Sequence, residues 1–284
     1  MSEMCSLFGG SRHLAGTLCV PDDRTPEPVA FVLFNAGVIH RIGPHRFNVK
    51  LARALAASGF SSLRFDLSGQ GDSQREPTFA PLAQQAVADV RAAMDHLERT
   101  VGVKRFVIAG MCSGANHGLS AAHADGRVVG LWMYDGFHYP TPKTRRLYYQ
   151  NQLQSQGVSG VCRWLVRRVT ALGRRSQGNA PKDVSEYWQD APPREVYGAT
   201  LRDLVTRNVD IFMVQSGSFP GDYNYADQFL DGFREFVGEA IRCDFEPTFD
   251  HTVTTVDAQR RVIASLLNWA QRFSEAPRNS AAGK

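Results

Sequence analysis

Residues 104–118 read KRFVIAGMCSGANHG, and their reading decides the fold. Lys104–Met111 is a short apolar run of the kind a strand buried on both faces requires. From Ser113 the residues turn small, as in a helix packed closely against a sheet. Between the two stands Gly110-Met111-Cys112-Ser113-Gly114, a G-x-nucleophile-x-G turn with cysteine at its centre. Such a turn holds the nucleophile in strained backbone geometry, and its flanking glycines let strand and helix approach. Centred on Ser113 instead, the flanks would be Met111 and Ala115, so the pattern selects Cys112 and leaves Ser113 to contribute its backbone N–H alone. The helix that follows places Cys112 at a positive dipole end, which favours a thiolate.

Outward from this turn, strand-like and helix-like segments alternate. Leu14–Pro21, Val29–Asn35, Ser61–Leu67, Val128–Tyr134, Asp210–Gln215 and Arg242–Phe245 read as further strands. Phe47–Gly59, Pro81–Val101 and Val256–Phe273 carry helical periodicity, the last with Ile263, Leu266, Leu267 and Ala270 on one side. This alternation predicts a mostly parallel sheet with helices on both faces. Residues 136–208 break it, being rich in Arg and aromatics (Arg145, Arg146, Tyr148, Tyr149, Trp164, Arg167, Arg168, Trp188) and without a clear strand. They read as a helical cap inserted between core segments 1–135 and 209–273, placed over the sheet edge where ligands bind in open α/β folds. Residues 274–284 read as a flexible tail.

Composition narrows the function class. A chain of 284 residues with 43% hydrophobic content can bury a sizeable core, and 32 Lys+Arg against 28 Asp+Glu leave a net charge of only +4, unlike a nucleic-acid binder. Cys5, Cys19, Cys112, Cys162 and Cys243 show no C-x-x-C spacing, which argues for reduced thiols and against a disulfide framework or zinc site. The N-terminus, MSEMCSLFGG, has no apolar run suited to a signal peptide, and VAFVLF (29–34) is far too short to span a membrane. A soluble cytoplasmic protein is expected, with no metal and no cofactor.

The remaining chemistry is sought around Cys112. A general base is expected last in the chain, after the final strand. His251, in FEPTFDHTVTT (245–255), is the one of eight histidines with that position and a loop setting. Two aspartates compete as the acid that orients it. Asp135, in WMYDG (132–136), ends a strand and precedes a glycine; Asp222 lies in GSFPGDYNYADQF (217–229). Asp135 is preferred, and a Cys–His dyad without an acid is a third arrangement. An oxyanion hole needs two backbone N–H groups. Ser113 supplies one, and Val38, in the loop Asn35-Ala36-Gly37-Val38-Ile39, is chosen for the other, with Gly37 allowing close backbone approach. Gly37, Ile39, Arg41 and Met111 are expected to border the substrate, Arg41 as part of the basic run His40–Arg46 that suits a carboxylate or phosphate. Asp66-Leu67-Ser68-Gly69-Gln70-Gly71-Asp72-Ser73 reads as a structural turn.

Taken together, FNAGVIHRIGPHRF, RFDLSGQGDS, GMCSGAN and YNYADQF before a late D-H-T resemble the α/β-hydrolase superfamily, and within it the serine-aminopeptidase-like hydrolases, including those encoded beside exosortase systems. The resemblance spans nearly the whole chain. It implies an eight-stranded, mostly parallel sheet, nucleophile Cys112, base His251 and oxyanion donors near Val38 and Ser113. Cysteine in place of serine is similar to dienelactone hydrolases and some thioesterases, and an acid after the earlier strand is similar to such thioesterases as well. The function expected is therefore acyl transfer through an acyl-enzyme, as a thioesterase, acyltransferase or cyclase. The alternatives are a carboxylesterase or lactone hydrolase, and a catalytically silent binding protein on the same fold. The expected partner is a small acyl substrate, presented as a CoA or acyl-carrier-protein thioester, and not nucleic acid. Arg163–Val169 through Arg175 forms a basic amphipathic stretch that suits a phosphate, an acidic carrier or a membrane surface, and equally a solvated cap helix.

Overall fold

The apolar runs stack into one sheet. The computed structural model describes residues 1–22, 26–76, 80–155 and 191–274. Its strands are β1 (Ser2–Phe8), β2 (Leu14–Val20), β3 (Ala30–Leu33), β4 (Ser61–Phe65), β5 (Phe106–Met111), β6 (Val128–Tyr134), β7 (Asp210–Ser216) and β8 (Arg242–Glu246). They lie in the order β1-β2-β4-β3-β5-β6-β7-β8. β1 and β2 pair antiparallel and β2 joins β4 antiparallel, while every pairing from β4 to β8 is parallel. β3 and β5 are buried at every residue, as central parallel strands must be.

β1 is the strand absent from the sequence reading. SEMCSLF shows no clean alternation of apolar and polar residues, and at the sheet edge most of its side chains, Met4 and Leu7 included, meet solvent; only Phe8 enters the core.

Among the described residues seven α-helices cover the sheet: α1 (Phe47–Ala57), α2 (Leu82–Val101), α3 (Ser113–Ala124), α4 (142–155), α5 (Arg194–Thr206), α6 (Gln228–Val237) and α7 (Val256–Ala270). α1 and α7 pack on one face, where Phe47, Leu51, Val262 and Leu266 meet Phe31, Leu33 and Phe212. α2, α3, α5 and α6 pack on the other, where Val90, Leu119, Leu201 and Phe233 meet Val32, Ile108 and Ile211. The buried stripe of α7 runs through Ala258, Val262, Leu266 and Trp269, leaving Ile263 and Leu267 half-buried at its margin.

Of the cap expected over 136–208, α4 and α5 are described. α5 buries Tyr197, Leu201 and Leu204 in the core, as a crossover helix leading into β7 does. The basic stretch 163–175, Cys162, Trp164, Trp188 and most of the tail 274–284 lie outside the described residues. No helix among the described residues is long and apolar enough to cross a membrane.

Candidate active site

The carboxyl ends of β3, β5, β6, β7 and β8 bring the candidate residues to one edge of the sheet. Cys112 sits in the turn between β5 and α3 with φ 54° and ψ −128°, a positive-φ conformation that costs a non-glycine residue about 1–3 kcal/mol. The turn is held from both sides: the Cys112 N–H donates to the Tyr134 carbonyl at 2.8 Å, and its carbonyl accepts from the Ala115 N–H at 3.0 Å. The flanking glycines are sterically required. A Cβ at Gly110 would overlap the Gly114 carbonyl, and a Cβ at Gly114 would stand 2.5 Å from the Asn35 carbonyl oxygen. Cys112 itself is partly exposed and unbridged.

His251 follows β8, in a turn built around the carboxylate of Asp250. That carboxylate accepts from the N–H and hydroxyl of both Thr252 and Thr254, at 2.9 to 3.2 Å. Burial would raise the Asp250 pKa, but these hydrogen bonds hold it below the ordinary carboxylate value. The same turn forces the fully buried Val253 to φ 51°, so local hydrogen bonding and core packing together hold a conformation a β-branched residue avoids. The Ser218 hydroxyl accepts the His251 backbone N–H at 2.7 Å, and the Tyr134 hydroxyl donates to the Asp250 carbonyl at 2.8 Å.

His251 Nδ1 lies 2.9 Å from Asp135 Oδ2. Asp135 directly follows β6, at φ 47°, with its carboxylate fully buried. It accepts the Ser216 N–H at 2.7 Å and the Ser216 hydroxyl at 2.6 Å. Burial pulls the His251 pKa down. The hydrogen bonds to Asp135 and to Cys112, with the charges on both, outweigh burial and push it up to about 10. Asp222 is elsewhere: it lies in a turn whose N–H donates to the Phe219 carbonyl, and among the described residues no hydrogen bond joins it to His251. His138 hydrogen-bonds Gln215 at 2.9 Å and is held neutral by burial, its pKa lowered; Phe219 stands between it and His251, 4.9 Å from each ring.

The loop after β3 meets the elbow. Ala36–Ile39 is a tight turn closed by the Ile39 N–H on the Ala36 carbonyl at 3.1 Å, with Gly37 at φ 58°. The Gly37 N–H donates to the Ser113 hydroxyl at 2.8 Å. Ser113 thus contributes its side chain as well as its backbone, which corrects the expectation of an N–H alone; a contact between residues 76 apart leaves no local trace in sequence. Val38 projects outward, 66% exposed, and its N–H joins no hydrogen bond among the described residues.

Two residues expected to border the substrate do other work. The Arg41 guanidinium is spent on Asp66 and on Asp72, the latter at 2.7 Å, and is 13% exposed. Met111 is a core residue, 4% exposed, because the strand ends one residue before the turn. The Asp66 carboxylate also accepts the Arg41 N–H at 2.6 Å and the Asn35 side-chain N–H at 2.9 Å. The D-x-x-G-x-G-D-S turn is structural in this sense: it braces the 35–41 loop. His40, Asp66 and Asp72 bring ligand-type atoms within 4.8 Å of one another, and the cation among them is the Arg41 guanidinium. Behind Gln215 lies a cavity lined by Phe137, Tyr139, Tyr197, Tyr223 and Phe233.

A family model described as serine aminopeptidase, S33, matches residues 26–170, half of the chain. No curated protein matches it in sequence. Among solved structures it is similar to a proline iminopeptidase of Mycobacterium smegmatis, at 13% identity and TM-score 0.61 over 96% of this chain and 99% of that one. An esterase of Pyrococcus furiosus is similar at 10% identity and TM-score 0.62, over 96% and 92%. The esterase domain of a Rhodothermus marinus protein is similar at 17% identity and TM-score 0.57, over 96% and 99%.

Proposed function

The chain belongs to the serine aminopeptidase S33 family and carries the α/β-hydrolase fold, and from that premise we propose that it is an acyl-transfer enzyme whose nucleophile is the Cys112 thiolate. The observation that supports this reading is the pairing of His251 Nδ1 with Asp135 Oδ2 at 2.9 Å at the sheet edge that carries the Cys112 turn, with the His251 pKa pushed up to about 10. An imidazole this basic beside a thiol makes Cys112 and His251 a nucleophile–base pair.

The reaction follows from that pair. Asp135 on Nδ1 leaves Nε2 as the nitrogen that takes the Cys112 proton. The sulfur adds to the carbonyl carbon of an acyl thioester or activated ester, and the carbonyl π pair moves to oxygen. The N–H groups of Ser113 and Val38 stabilise that oxyanion. Collapse expels the thiol or alcohol, which takes the proton from Nε2, and leaves an acyl thioester on Cys112. An acceptor O–H or N–H then yields its proton to His251 and attacks, releasing the product and the free cysteine. Exchange between two thioesters is near thermoneutral, which makes a thioester the substrate class that suits this nucleophile.

Intact-protein mass spectrometry after incubation with a panel of acyl-CoA thioesters tests the reading. An acyl adduct that Cys112→Ala lacks is the expected result. Turnover of p-nitrophenyl esters with no thioester adduct would favour the esterase alternative. A Cys112→Ala variant as active as wild type on both substrate types would overturn the nucleophile.

A further inference from the structure

We propose that the Ser113 hydroxyl is a positioning group for the oxyanion hole: by accepting the Gly37 N–H it holds the Ala36–Ile39 turn in the orientation that leaves the Val38 N–H free for the substrate oxygen. The inference rests on the reading of Cys112 as nucleophile and adds a function for a side chain that this reading does not use.

The turn has two central N–H groups, Gly37 and Val38. The Gly37 N–H is taken by Ser113 Oγ at 2.8 Å, and the Ile39 N–H closes the turn on Ala36. This leaves Val38 as the donor without a hydrogen bond among the described residues, while its side chain points to solvent. Gly37 meets nothing within 4 Å of an added Cβ, so the glycine is required by its φ of 58° and not by crowding. The turn is therefore an exposed loop whose orientation is set by its anchors. One anchor is the Asn35–Asp66 pair, with the Asn35 amide also donating to the Ile39 carbonyl at 2.8 Å. The other is Ser113 Oγ, from the opposite side.

Ser113 is also the first residue of α3, one past the N-cap Cys112. No side-chain cap hydrogen bond is made at this helix start; the hydroxyl reaches across to another loop instead. The same residue thus supplies one oxyanion donor through its backbone and fixes the second through its side chain. The two donors come from different strand ends, β3 and β5, and Ser113 is the hydrogen bond between them. A donor misplaced by about 1 Å can cost on the order of 10²-fold in rate, so an anchor of this kind has a kinetic effect out of proportion to one hydrogen bond.

Two reactions of the same thiolate separate this role from a general one. Iodoacetamide alkylates Cys112 by displacement at an sp³ carbon, with no oxyanion. p-Nitrophenyl acetate acylates it through a tetrahedral oxyanion. In Ser113→Ala the acylation burst should slow by about 10- to 100-fold, while the alkylation rate changes less than about 2-fold. Ser113→Thr keeps the acceptor and should recover most of the acylation rate. Equal loss in both reactions, or unchanged acylation in Ser113→Ala, would overturn the proposal. So would a Ser113→Thr variant that folds to the wild-type melting temperature yet acylates as slowly as Ser113→Ala. Failure of the underlying reading looks different: peptide mapping, needed because Cys5 is also a free exposed thiol, would then show no preferential alkylation of Cys112, and the burst would survive in Cys112→Ala.

Discussion

At the scale of single residues, the proposed reaction turns on the proton of His251. With its pKa raised to about 10, His251 keeps the proton needed to protonate a leaving group throughout the neutral range and loses it only as pH approaches 10. The kcat/KM profile should therefore hold its upper limb near pH 10. Asp135→Asn removes the negative charge that helps to raise this pKa and weakens the hydrogen bond it accepts, so the limb should move to lower pH as the rate falls. A variant whose upper limb stays in place would show that Asp135 does not set the His251 proton affinity. His251→Ala should lose about 10²–10⁴-fold, the usual share of general acid–base catalysis, as measured by the acylation burst. The meeting of His251 with Asp135, and the place of Cys112 in the β5–α3 turn, were legible in sequence because chain order and strand ends mark such positions. Arg41 and Met111 were not. The partners of Arg41, Asp66 and Asp72, are remote in sequence, and the inward aim of Met111 is decided by where β5 stops.

At the scale of elements, the elbow and the histidine turn are each held by a small number of contacts that can be broken one at a time. Gly110→Ala and Gly114→Ala would each drive a methyl into backbone, the Gly114 carbonyl or the Asn35 carbonyl, neither of which is a flexible side-chain end. Both should lower the melting temperature and slow iodoacetamide alkylation of Cys112. A wild-type alkylation rate in either variant would mean the turn tolerates a Cβ. Asp250→Ala releases four donors of the 251–254 turn and leaves Val253 in its unfavourable conformation without support. The expected outcome is a drop in kcat larger than the loss of stability explains, read from burst kinetics on fully folded protein. The glycines of the elbow were visible in sequence because the motif itself encodes crowding. The Asp250 turn and β1 were not, since a polar loop and a mostly exposed edge strand carry no periodic apolar signal.

At the scale of the whole molecule, buried histidines of opposite sign should give the protein a stability maximum close to pH 6.5. His117 is buried without a partner for its Nδ1, and burial lowers its pKa from 6.5 to about 4. The unfolded chain takes up that proton first, so the stability linked to neutral His117 is present above pH 6.5 and is lost as pH falls toward 4. His96 and His138, both lowered by burial, act in the same direction. His251 acts oppositely. Its folded pKa of about 10 exceeds the ordinary 6.5, so the stability linked to its proton is complete below 6.5 and drains away as pH rises toward 10. Buried Cys243, pushed up to about 12, steepens the loss only above its ordinary value of 9.0. Thermal unfolding followed by circular dichroism across pH 4 to 10 should thus trace a peak, with each limb assigned by one variant. His117→Leu should flatten the acid limb in part, because one of the histidine protons gained on unfolding there is then absent, while those of His96 and His138 remain. Asp135→Asn should flatten the limb between pH 6.5 and 9.0 while lowering its height, because His251 then titrates closer to its unfolded value. A wild-type melting temperature that climbs steadily from pH 6.5 to 9.0 would show that the folded chain does not hold the His251 proton.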